Sequence, residues 1–263
     1  LTEGKLKAGN FSLAGDISSQ FISGLLFALP QLETDSTIQI QPPVESRSYI
    51  EMTLSALATF GIEAGWKDEN VLYVKGNQKF MPQELAVEGD YSNAAFFEAL
   101  NVIGGQVSIG NLNENSLQGD RVYRRLFEDL KQKKKTEINI SDCPDLGPIL
   151  FAVAAAVGGG TFSGCKRLKI KESNRGEVMA SELKKFGVKV HVGEDEVVVE
   201  GTCIHPPETI LDGHNDHRIV MSCAVLLTLT GGEIQGAEAV TKSFPDFFEK
   251  LTSLGIEVTK IED

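Results

Sequence analysis

The sequence contains few cysteines, and they are far apart. The four are Cys143, Cys165, Cys203 and Cys223, and no Cys-x-x-Cys spacing occurs. This spacing argues against a structural zinc site. Low cysteine content without clusters is typical of proteins in a reducing compartment, so we expect a cytoplasmic location.

Long hydrophobic runs are also missing. The longest apolar stretches are residues 146–157 and 219–229, and both are shorter than the ~18 residues of a membrane-spanning helix. They are apolar nearly all round, which predicts buried helices and no membrane partner. Hydrophobic residues make up 41% of the chain, enough for a substantial core.

An excess of positive charge is absent as well. The 263-residue chain carries a formal net charge of −12, so we expect neither nucleic acid nor an anionic membrane as a partner. Any anion-binding site must therefore be a local cluster of cations on an acidic background.

One short pattern occurs three times. Residues 57–64 (LATFGIEA), 183–190 (LKKFGVKV) and 251–258 (LTSLGIEV) share hydrophobic positions around a central glycine. Each predicts a helix that ends at a glycine in the left-handed conformation and turns into a strand. Such junctions are common in α/β proteins, but three copies with matching hydrophobic positions favour internal duplication.

Helical and extended patterns alternate, which predicts an α/β (α+β) fold of repeated βαβαββ units, with buried helices behind mixed sheets. The predicted helices are 18–30, 46–60, 92–102, 120–131, 145–157, 173–186, 216–229 and 244–254. The predicted strands are 11–14, 36–40, 71–75, 84–88, 105–109, 137–140, 161–163, 188–192, 196–200, 208–211, 232–235 and 256–260. A polar, turn-rich segment at 76–82 predicts a boundary between domain 1–84, with about one such unit, and domain 85–263, with about three.

A cluster of charges follows a β-type run at residues 167–170. Lys171-Glu172-Ser173-Asn174-Arg175 is predicted to open a helix. Helix N-termini attract anions through free N–H groups and the helix dipole, and two cations there would strengthen that attraction. The cluster predicts a site for a phosphate or carboxylate, with Glu172 able to move a proton. A solvated, charged first turn is the alternative.

A second unusual helix start is Asn215-Asp216-His217-Arg218, just before the apolar stretch 219–229. Asp216 suits the N-cap, but His217 and Arg218 would then stand at the positive end of the helix, where cations are unfavourable unless an anion is bound. We interpret this conflict as functional; a structural histidine is the alternative. In all, four cations are predicted at helix N-termini and would form one anion cleft if the helices converge: Lys171, Arg175, Arg218 and Lys242.

Polar residues open other predicted helices. Ser18, Ser19 and Gln20 could donate hydrogen bonds to a phosphate, and Ser46 opens the next helix in a similar way. An ordinary polar N-cap is the alternative in each case. Asp145 precedes the apolar stretch 146–157, where it could be a simple cap or a base in a cleft.

Seven stretches match, in order, the motifs of one enzyme family. They are residues 15–21 (GDISSQF), 88–92 (EGDYS), 116–120 (SLQGD), 144–145 (PD), 167–175 (RLKIKESNR), 215–218 (NDHR) and 242–246 (KSFPD). Through them the chain resembles the 5-enolpyruvylshikimate-3-phosphate synthases (3-phosphoshikimate 1-carboxyvinyltransferases). Sibling enolpyruvyl transferases that act on UDP-N-acetylglucosamine share the fold but lack this combination of motifs.

The resemblance implies an enolpyruvyl transferase-like architecture with two domains built of βαβαββ units. It implies transfer of the enolpyruvyl group of phosphoenolpyruvate to the 5-hydroxyl of shikimate 3-phosphate, without a metal or an organic cofactor. The implied ligands of shikimate 3-phosphate are Ser18, Ser19, Gln20, Ser46, Asp145, Arg167 and Lys171. Those of phosphoenolpyruvate are Gln20, Arg175, Arg218 and Lys242. The candidates for proton transfer are Asp145, Lys171, Glu172 and His217.

The chain also departs from the family. Members carry more chain ahead of the Ser18-Ser19-Gln20 stretch, including a further Lys-Ser…Arg substrate motif and a Gly-rich phosphoenolpyruvate loop, and no part of this sequence matches either. We therefore expect the chain to be inactive alone, and the full-length enzyme to be a monomer. Two alternatives remain, a sibling transferase of the UDP-N-acetylglucosamine type and a non-catalytic anion-binding module of the same fold.

Overall fold

The fold is taken from a computed structural model that describes residues 4–132, 136–201 and 203–261. The chain separates into two units, Leu1–Glu88 with Asn115–Gly119, and Gly89–Glu114 with Asp120–Asp263. None of the helices in the described ranges has the length and apolar character to cross a membrane.

The first unit is a mixed four-stranded sheet with two helices. Its elements are β1 (Asn10–Ala14), α1 (Ser19–Ala28) with a 3₁₀ turn at Leu29–Gln31, β2 (Ser36–Gln41), α2 (Arg47–Thr59), β3 (Ala64–Asp68) and β4 (Val71–Val74). The strand order is β1-β2-β4-β3, with β1 parallel to β2 and the other pairs antiparallel. Ile38 and Ile40 are buried while Gln39 and Gln41 are exposed, so the core lies on one face of the sheet.

Among its described residues, the second unit contains six α-helices, a four-stranded sheet and a two-stranded sheet. Its α-helices are α3 (Tyr91–Val102), α4 (Tyr123–Lys131), α5 (Gly147–Val157), α6 (Arg175–Lys185), α7 (His217–Thr230) and α8 (Phe247–Ser253). Its strands are β5 (Glu137–Asn139), β6 (Gly159–Ser163), β7 (Val190–Val192), β8 (Glu196–Glu200), β9 (Leu211–Asp212) and β10 (Ile234–Gln235). Short 3₁₀ helices lie at Gly119–Val122, Pro144–Leu146, Lys166–Ile170 and Ala237–Lys242.

The two four-stranded sheets have the same topology. The order β5-β6-β8-β7 repeats β1-β2-β4-β3, again with one parallel pair followed by two antiparallel pairs. Each sheet is therefore one βαβαββ unit, and β9, α7, β10 and α8 repeat its first four elements with a parallel strand pair. The predicted fold class is confirmed.

The three repeated glycines end their helices in the same way. Gly61, Gly187 and Gly255 have φ angles of 77°, 82° and 88°, which L-residues with a side chain rarely adopt. The residue after each glycine donates its N–H to the carbonyl five residues earlier, at 2.9, 3.1 and 3.2 Å. This is the Schellman motif, so the predicted helix ends are confirmed at all three positions.

Helices α5 and α7 are buried as expected. Every residue of α5 from Gly147 to Ala155 is buried, as is every residue of α7 from His217 to Leu226. Apolar character around the whole helix produces this burial. The two helices pack against each other in the core of the second unit.

Several predictions about local structure were wrong. Residues 84–88, 105–109 and 256–260 form no strand in the described chain, because a β-type pattern becomes a strand only beside a hydrogen-bonding partner. The run 167–170 is part of the 3₁₀ helix Lys166–Ile170. Strand β3 was missed because it is partly polar and contains an irregular register between Trp66 and Asp68.

Candidate active site

Two buried helices of the second unit bring their N-terminal ends together. Asp145 lies in the 3₁₀ turn that leads into α5, and Arg218 lies in the first turn of α7. Arg218 Nη1 donates to the backbone oxygen of Asp145 at 3.2 Å, and its Nη2 lies 3.4 Å from Asp145 Oδ2. The guanidinium of Arg218 therefore bridges the start of α7 to the start of α5.

Arg175, the first residue of α6, is at the centre of the site. Its side chain is only 1% exposed. Nε donates to Asp216 Oδ2 at 2.9 Å, Nη1 to Asp145 Oδ1 at 2.8 Å and Nη2 to Glu172 Oε2 at 2.5 Å. A guanidinium offers five N–H groups in fixed directions, which lets one side chain hold three carboxylates.

Asp145 has the complementary arrangement, one carboxylate that faces three cations. Lys171 Nζ lies 3.0 Å from Asp145 Oδ1, beside the contacts from Arg175 and Arg218. Burial would raise the pKa of Asp145, but the positive charges of Arg218, Lys171 and Arg175 outweigh burial and hold the pKa well below its usual range. Asp145 is therefore ionised at neutral pH.

Asp216 joins the ends of two helices. It caps α7 by accepting the N–H of Arg218 at 3.0 Å, and it also accepts the Ser173 hydroxyl at 2.9 Å. Burial would raise the pKa of Asp216, but the hydrogen bond and charge of Arg175 lower it below the usual value. We call Asp145, Lys171, Glu172, Arg175, Asp216 and Arg218 the charge network; it contains three acids and three bases.

His217 lies beside the charge network and is buried. Its Nδ1 is 3.9 Å from Glu172 Oε1 and 4.0 Å from Asp216 Oδ1, too far for hydrogen bonds, and has no hydrogen-bond partner in the described ranges. Burial and then the charge of Arg218 lower the pKa of His217, although both carboxylates oppose them. The ring is neutral at pH 7, so it can offer a ligand either a proton or a lone pair.

The conflict expected at the start of α7 has an internal resolution. His217 is neutral, and the positive charge of Arg218 is balanced by the carboxylate of Asp145. The chain thus supplies a negative charge of its own at this helix start, and binding of an anion there stays a prediction.

The placement of two lysines differs from the sequence prediction. Helix α6 begins at Arg175, so Lys171 lies before the helix, and Lys242 ends the 3₁₀ helix Ala237–Lys242 rather than opening α8. Asp246 occupies the N-cap of α8, so the helix starts only after Pro245. Lys242 Nζ donates to the backbone oxygen of Asn215, which places it beside the loop before α7. Arg167 is buried in the 3₁₀ helix Lys166–Ile170.

Sequence reasoning missed two polar residues that touch the charge network or extend it. Ser92, in the first turn of α3, accepts a hydrogen bond from Arg218 Nη2 at 3.2 Å. Its own hydroxyl donates to the buried carboxylate of Asp120. The only signal was the presence of both residues in matched motifs, because their meeting depends on tertiary packing.

The first unit holds a separate group of polar residues at one edge of its sheet. Ser18 caps α1, Ser19 is buried and Gln20 is exposed, while the buried Ser46 precedes α2 with φ at 53°. Because β1 and β2 are parallel, both helices start at the same sheet edge.

The two loops at this edge touch. Glu45 N–H donates to Gly15 O at 3.1 Å. A Cβ on Gly15 would lie 2.6 Å from the Pro43 oxygen, so this close approach requires glycine. Residues 18–20 and 46 therefore share one edge.

Over the described residues, no group of three or more His, Cys, Asp or Glu side chains is arranged to hold a metal ion. The three carboxylates of the charge network are instead engaged by Lys and Arg.

Similarity to known proteins extends over nearly the whole chain. The family profile of EPSP synthase (3-phosphoshikimate 1-carboxyvinyltransferase) matches residues 2–251. The 3-phosphoshikimate 1-carboxyvinyltransferase of Clostridium acetobutylicum is 42% identical over 276 residues, covering 97% of this chain and 63% of that protein. The protein of that name from Brachyspira hyodysenteriae is 38% identical, with coverages of 97% and 65%.

Solved structures give the same picture. EPSP synthase from Acinetobacter baumannii superposes with a TM-score of 0.76 at 27% identity, covering 97% of this chain and 65% of that one. The enolpyruvyl transferase NikO from Streptomyces tendae has a TM-score of 0.69 at 14% identity, with coverages of 97% and 66%, and shows the fold alone. The chain thus spans under two thirds of the length of the curated relatives described above. By its sequence and its fold, the chain belongs to the EPSP synthase family.

Proposed function

We propose that this chain carries a large part of the active site of an enzyme that transfers the enolpyruvyl group of phosphoenolpyruvate to the 5-hydroxyl of shikimate 3-phosphate. The observation that carries the proposal is the convergence of Lys171, Arg175 and Arg218 on Asp145, in a chain of this family. Two polyanions must be brought together in this reaction, and clustered cations are the means of doing so.

The chemistry is an addition followed by an elimination. The 5-hydroxyl oxygen bonds to carbon 2 of phosphoenolpyruvate and releases its proton, while carbon 3 gains a proton. The tetrahedral intermediate then loses phosphate from carbon 2 and a proton from carbon 3, which restores the double bond. One acid or base must therefore act at the hydroxyl and another at carbon 3, and cations must stabilise the departing phosphate.

Phosphoenolpyruvate is proposed to bind Arg175, Arg218 and Lys242, with Gln20 of the first unit as a further ligand. Three carboxylates surround the guanidinium of Arg175, so it can hydrogen-bond to a ligand only if one of these carboxylates moves away. Glu172 is the easiest to displace, because its side chain is 40% exposed whereas Asp216 is fully buried. Its displacement by phosphoenolpyruvate would also free a carboxylate to carry a proton, which supports Glu172 as the group that acts at carbon 3.

The proposed ligands of shikimate 3-phosphate are those that the family resemblance implies. In the second unit, Asp145 and Lys171 would hold ring hydroxyls, with Arg167 as a further contact. In the first unit, the proposed ligands share the sheet edge described above: Ser18, Ser19, Gln20 and Ser46. Hydroxyl groups at helix N-termini are suitable donors for a phosphate.

Proton transfer at the 5-hydroxyl is proposed to use Asp145, with Lys171 and His217 as the other candidates. Three cations keep the pKa of Asp145 low in the ligand-free site, which makes it a weak base. When anionic substrates draw Arg218 and Lys171 toward themselves, that restraint weakens and the carboxylate becomes more basic. Substrate binding would thus prepare its own base.

The chain is proposed to be inactive alone, because it spans 63% of the length of the Clostridium acetobutylicum relative. The complete enzyme is proposed to be a cytoplasmic monomer that binds no nucleic acid. The formal net charge of −12 supports the last point.

Phosphate release from phosphoenolpyruvate and shikimate 3-phosphate tests the proposal. The 263-residue chain would be assayed alone and with the N-terminal part of the Clostridium acetobutylicum relative supplied as a second polypeptide or a fusion. We expect turnover only in the completed protein, and losses of about a hundredfold or more in Lys171→Ala and Arg218→Ala. Near-normal turnover in both variants would refute the site, and turnover by the chain alone would refute the claim of inactivity.

Calorimetry separates the remaining alternatives. The completed protein should bind shikimate 3-phosphate but not UDP-N-acetylglucosamine. The opposite preference would indicate the sibling activity. Binding without turnover would indicate a non-catalytic module.

A further inference from the structure

A buried acid lies outside the charge network on the same helix as Arg175. Glu182 is 1% exposed and lies seven residues after Arg175 in α6. This spacing is close to two helical turns, so both side chains project from the same face of α6. Glu182 was not among the candidate site residues, and it is too deeply buried to be a solvated surface charge.

Both oxygens of Glu182 are engaged by other groups. Oε2 accepts the backbone N–H of Asp212 at 2.9 Å and Lys185 Nζ at 2.8 Å. Oε1 lies 3.1 Å from Nε2 of His214. Two of these three contacts come from the turn at residues 212–215 that leads from β9 into α7, so Glu182 ties that turn to α6.

The turn itself has an uncommon backbone. His214 and Asn215 have φ angles of 48° and 53°, a left-handed conformation that residues other than glycine seldom adopt. Asp212 Oδ1 accepts the His214 N–H at 2.7 Å, and its Oδ2 accepts Gln235 Nε2 at 2.9 Å. External contacts are needed to hold such a turn in one conformation, and Glu182 provides two.

The turn determines where part of the charge network lies. Asp216 N–H donates to Gly213 O at 2.8 Å, and Asp216 then holds Arg175 and caps α7 at Arg218. Lys242 Nζ also donates to the backbone oxygen of Asn215. A shift of residues 212–215 would therefore move Asp216, Arg218 and the contact of Lys242 together.

A role in stability alone would not require this arrangement. Lys185 already pairs with Glu182, and burial of an ion pair is seldom favourable compared with apolar residues of the same volume. The extra contacts, to a backbone N–H and an imidazole, are directed at one turn. They fit the need of a polar site for supporting residues that fix its geometry.

We propose that Glu182 is a positioning residue that holds the turn at residues 212–215, and thereby sets Asp216 and Arg218 for binding the phosphoenolpyruvate anion. The proposal rests on the proposed function of the charge network. Glu182 touches no substrate itself.

The test compares Glu182→Ala and Glu182→Gln in the 263-residue chain, with Glu177→Ala as the control for loss of another acid from the same helix. Amide hydrogen exchange would be measured at Asp212, His214 and Arg218, and in α5 as the reference for global folding. Slow exchange of the Arg175 Nε–H would be followed by NMR, since it reports the contact with Asp216. Calorimetry with phosphoenolpyruvate would give the affinity of each variant in the protein completed with the N-terminal part of the Clostridium acetobutylicum relative.

In Glu182→Ala we expect faster exchange at the three amides of the turn and α7, loss of the slow Arg175 Nε–H signal and about a tenfold loss of affinity, with α5 unchanged. Glutamine keeps an acceptor for Asp212 N–H and a polar partner for His214, so Glu182→Gln should stay within about twofold of wild type. Glu177→Ala should match wild type.

Each outcome decides between the two proposals. The positioning role would be overturned if amide exchange and affinity in Glu182→Ala match those of wild type. It would also be overturned if Glu182→Gln loses as much protection and affinity as Glu182→Ala while exchange in α5 is unchanged. If Glu182→Ala also destabilises α5, the test uses His214→Ala instead, because this partly exposed ring can be removed without opening the core. An unchanged exchange rate of the Arg175 Nε–H in His214→Ala would then refute the proposal. If the completed wild-type protein does not bind phosphoenolpyruvate but the exchange effects occur, the control of the turn stands and the proposed ligand is wrong.

Discussion

Arg175 and Asp216 form an ion pair that has almost no contact with solvent. Arg175 Nε donates to Asp216 Oδ2 at 2.9 Å, and the two side chains are 1% and 0% exposed. Because water cannot reach the Asp216 carboxylate, its charge depends on Arg175 for compensation. The pair joins the first residue of α6 to the cap of α7, so it fixes two helix starts relative to each other.

Removal of the Arg175 guanidinium should therefore destabilise the second unit strongly. Arg175→Ala leaves the fully buried carboxylate of Asp216 without a charged partner and removes one of the three cations around Asp145, so we expect a loss of about 3–5 kcal/mol in the free energy of unfolding. Arg175→Lys should recover little, because one ammonium cannot reproduce three divergent contacts. Urea denaturation measures both. The exposed pair of Lys75 and Glu63 offers a control, and Lys75→Ala should leave the stability nearly unchanged. Equal effects of Arg175→Ala and Lys75→Ala would contradict the structural role of Arg175.

Protonation of Asp145 at low pH should lower the free energy of unfolding. The folded pKa of this carboxyl lies below its unfolded value, so its contribution is complete above pH ~4 and is lost as the pH falls through the folded pKa. Asp145→Asn should lower stability at pH 7 by on the order of 2 kcal/mol and flatten the decline between about pH 4 and pH 2. Denaturation at a series of pH values tests this, with Glu194→Gln, at an exposed acid, as control. Parallel curves for wild type and Asp145→Asn would rule out this carboxyl as a source of the acid sensitivity.

His217 should titrate below the ordinary histidine pKa of about 6.5. Burial and the charge of Arg218 disfavour the protonated ring. The neutral ring therefore contributes its full stability above about pH 6.5, the pKa of histidine in the unfolded chain. This contribution is lost as the pH falls through the lower pKa of the folded state. Glu172→Gln should depress the pKa further, because Glu172 favours the imidazolium. NMR titration of the ring measures both effects. An unchanged or higher pKa in Glu172→Gln would show that this carboxylate does not act on His217.

The three helix-ending glycines allow a backbone test. Gly255 has φ at 88°, and no atom lies within 4 Å of the position that an alanine methyl group would occupy there, so Gly255→Ala should cost about 1 kcal/mol or more through strain alone. Gly24, inside α1 with equal space and ordinary φ, should gain about 0.5–1 kcal/mol on change to Ala. Denaturation midpoints measure the difference. Shifts in the same direction for the two variants would contradict the left-handed assignment at Gly255.

Sequence patterns predicted those elements whose cause is local. The all-apolar stretches became α5 and α7, and the glycines at 61, 187 and 255 ended helices as expected. The prediction of strands at 84–88, 105–109 and 256–260 was wrong, because strand formation depends on a partner strand that the sequence pattern does not reveal. The prediction of a β-type run at residues 167–170 was wrong for a related reason, since alternation over four residues is too short to distinguish a strand from a 3₁₀ turn.

The candidate site was only partly accessible from the sequence. Asp216 was expected as the N-cap of α7, and it is. Its pairing with Arg175, 41 residues earlier, comes from tertiary packing. The sequence indicated a cluster of free cations, whereas Asp145 meets three cations at once in the structure. Charge signs are readable from a sequence, but the neutralisation of one group by another depends on distance.

The equal numbers of acids and bases in the charge network affect how a ligand approaches. With three positive and three negative side chains in contact, the network exerts little field beyond its own dimensions, and the chain as a whole is negative. No long-range attraction then guides a dianion from solution, so binding must gain its free energy from contacts made after arrival. The association rate of phosphoenolpyruvate should accordingly hold steady or rise with ionic strength, whereas a site of unpaired cations would lose speed as salt is added.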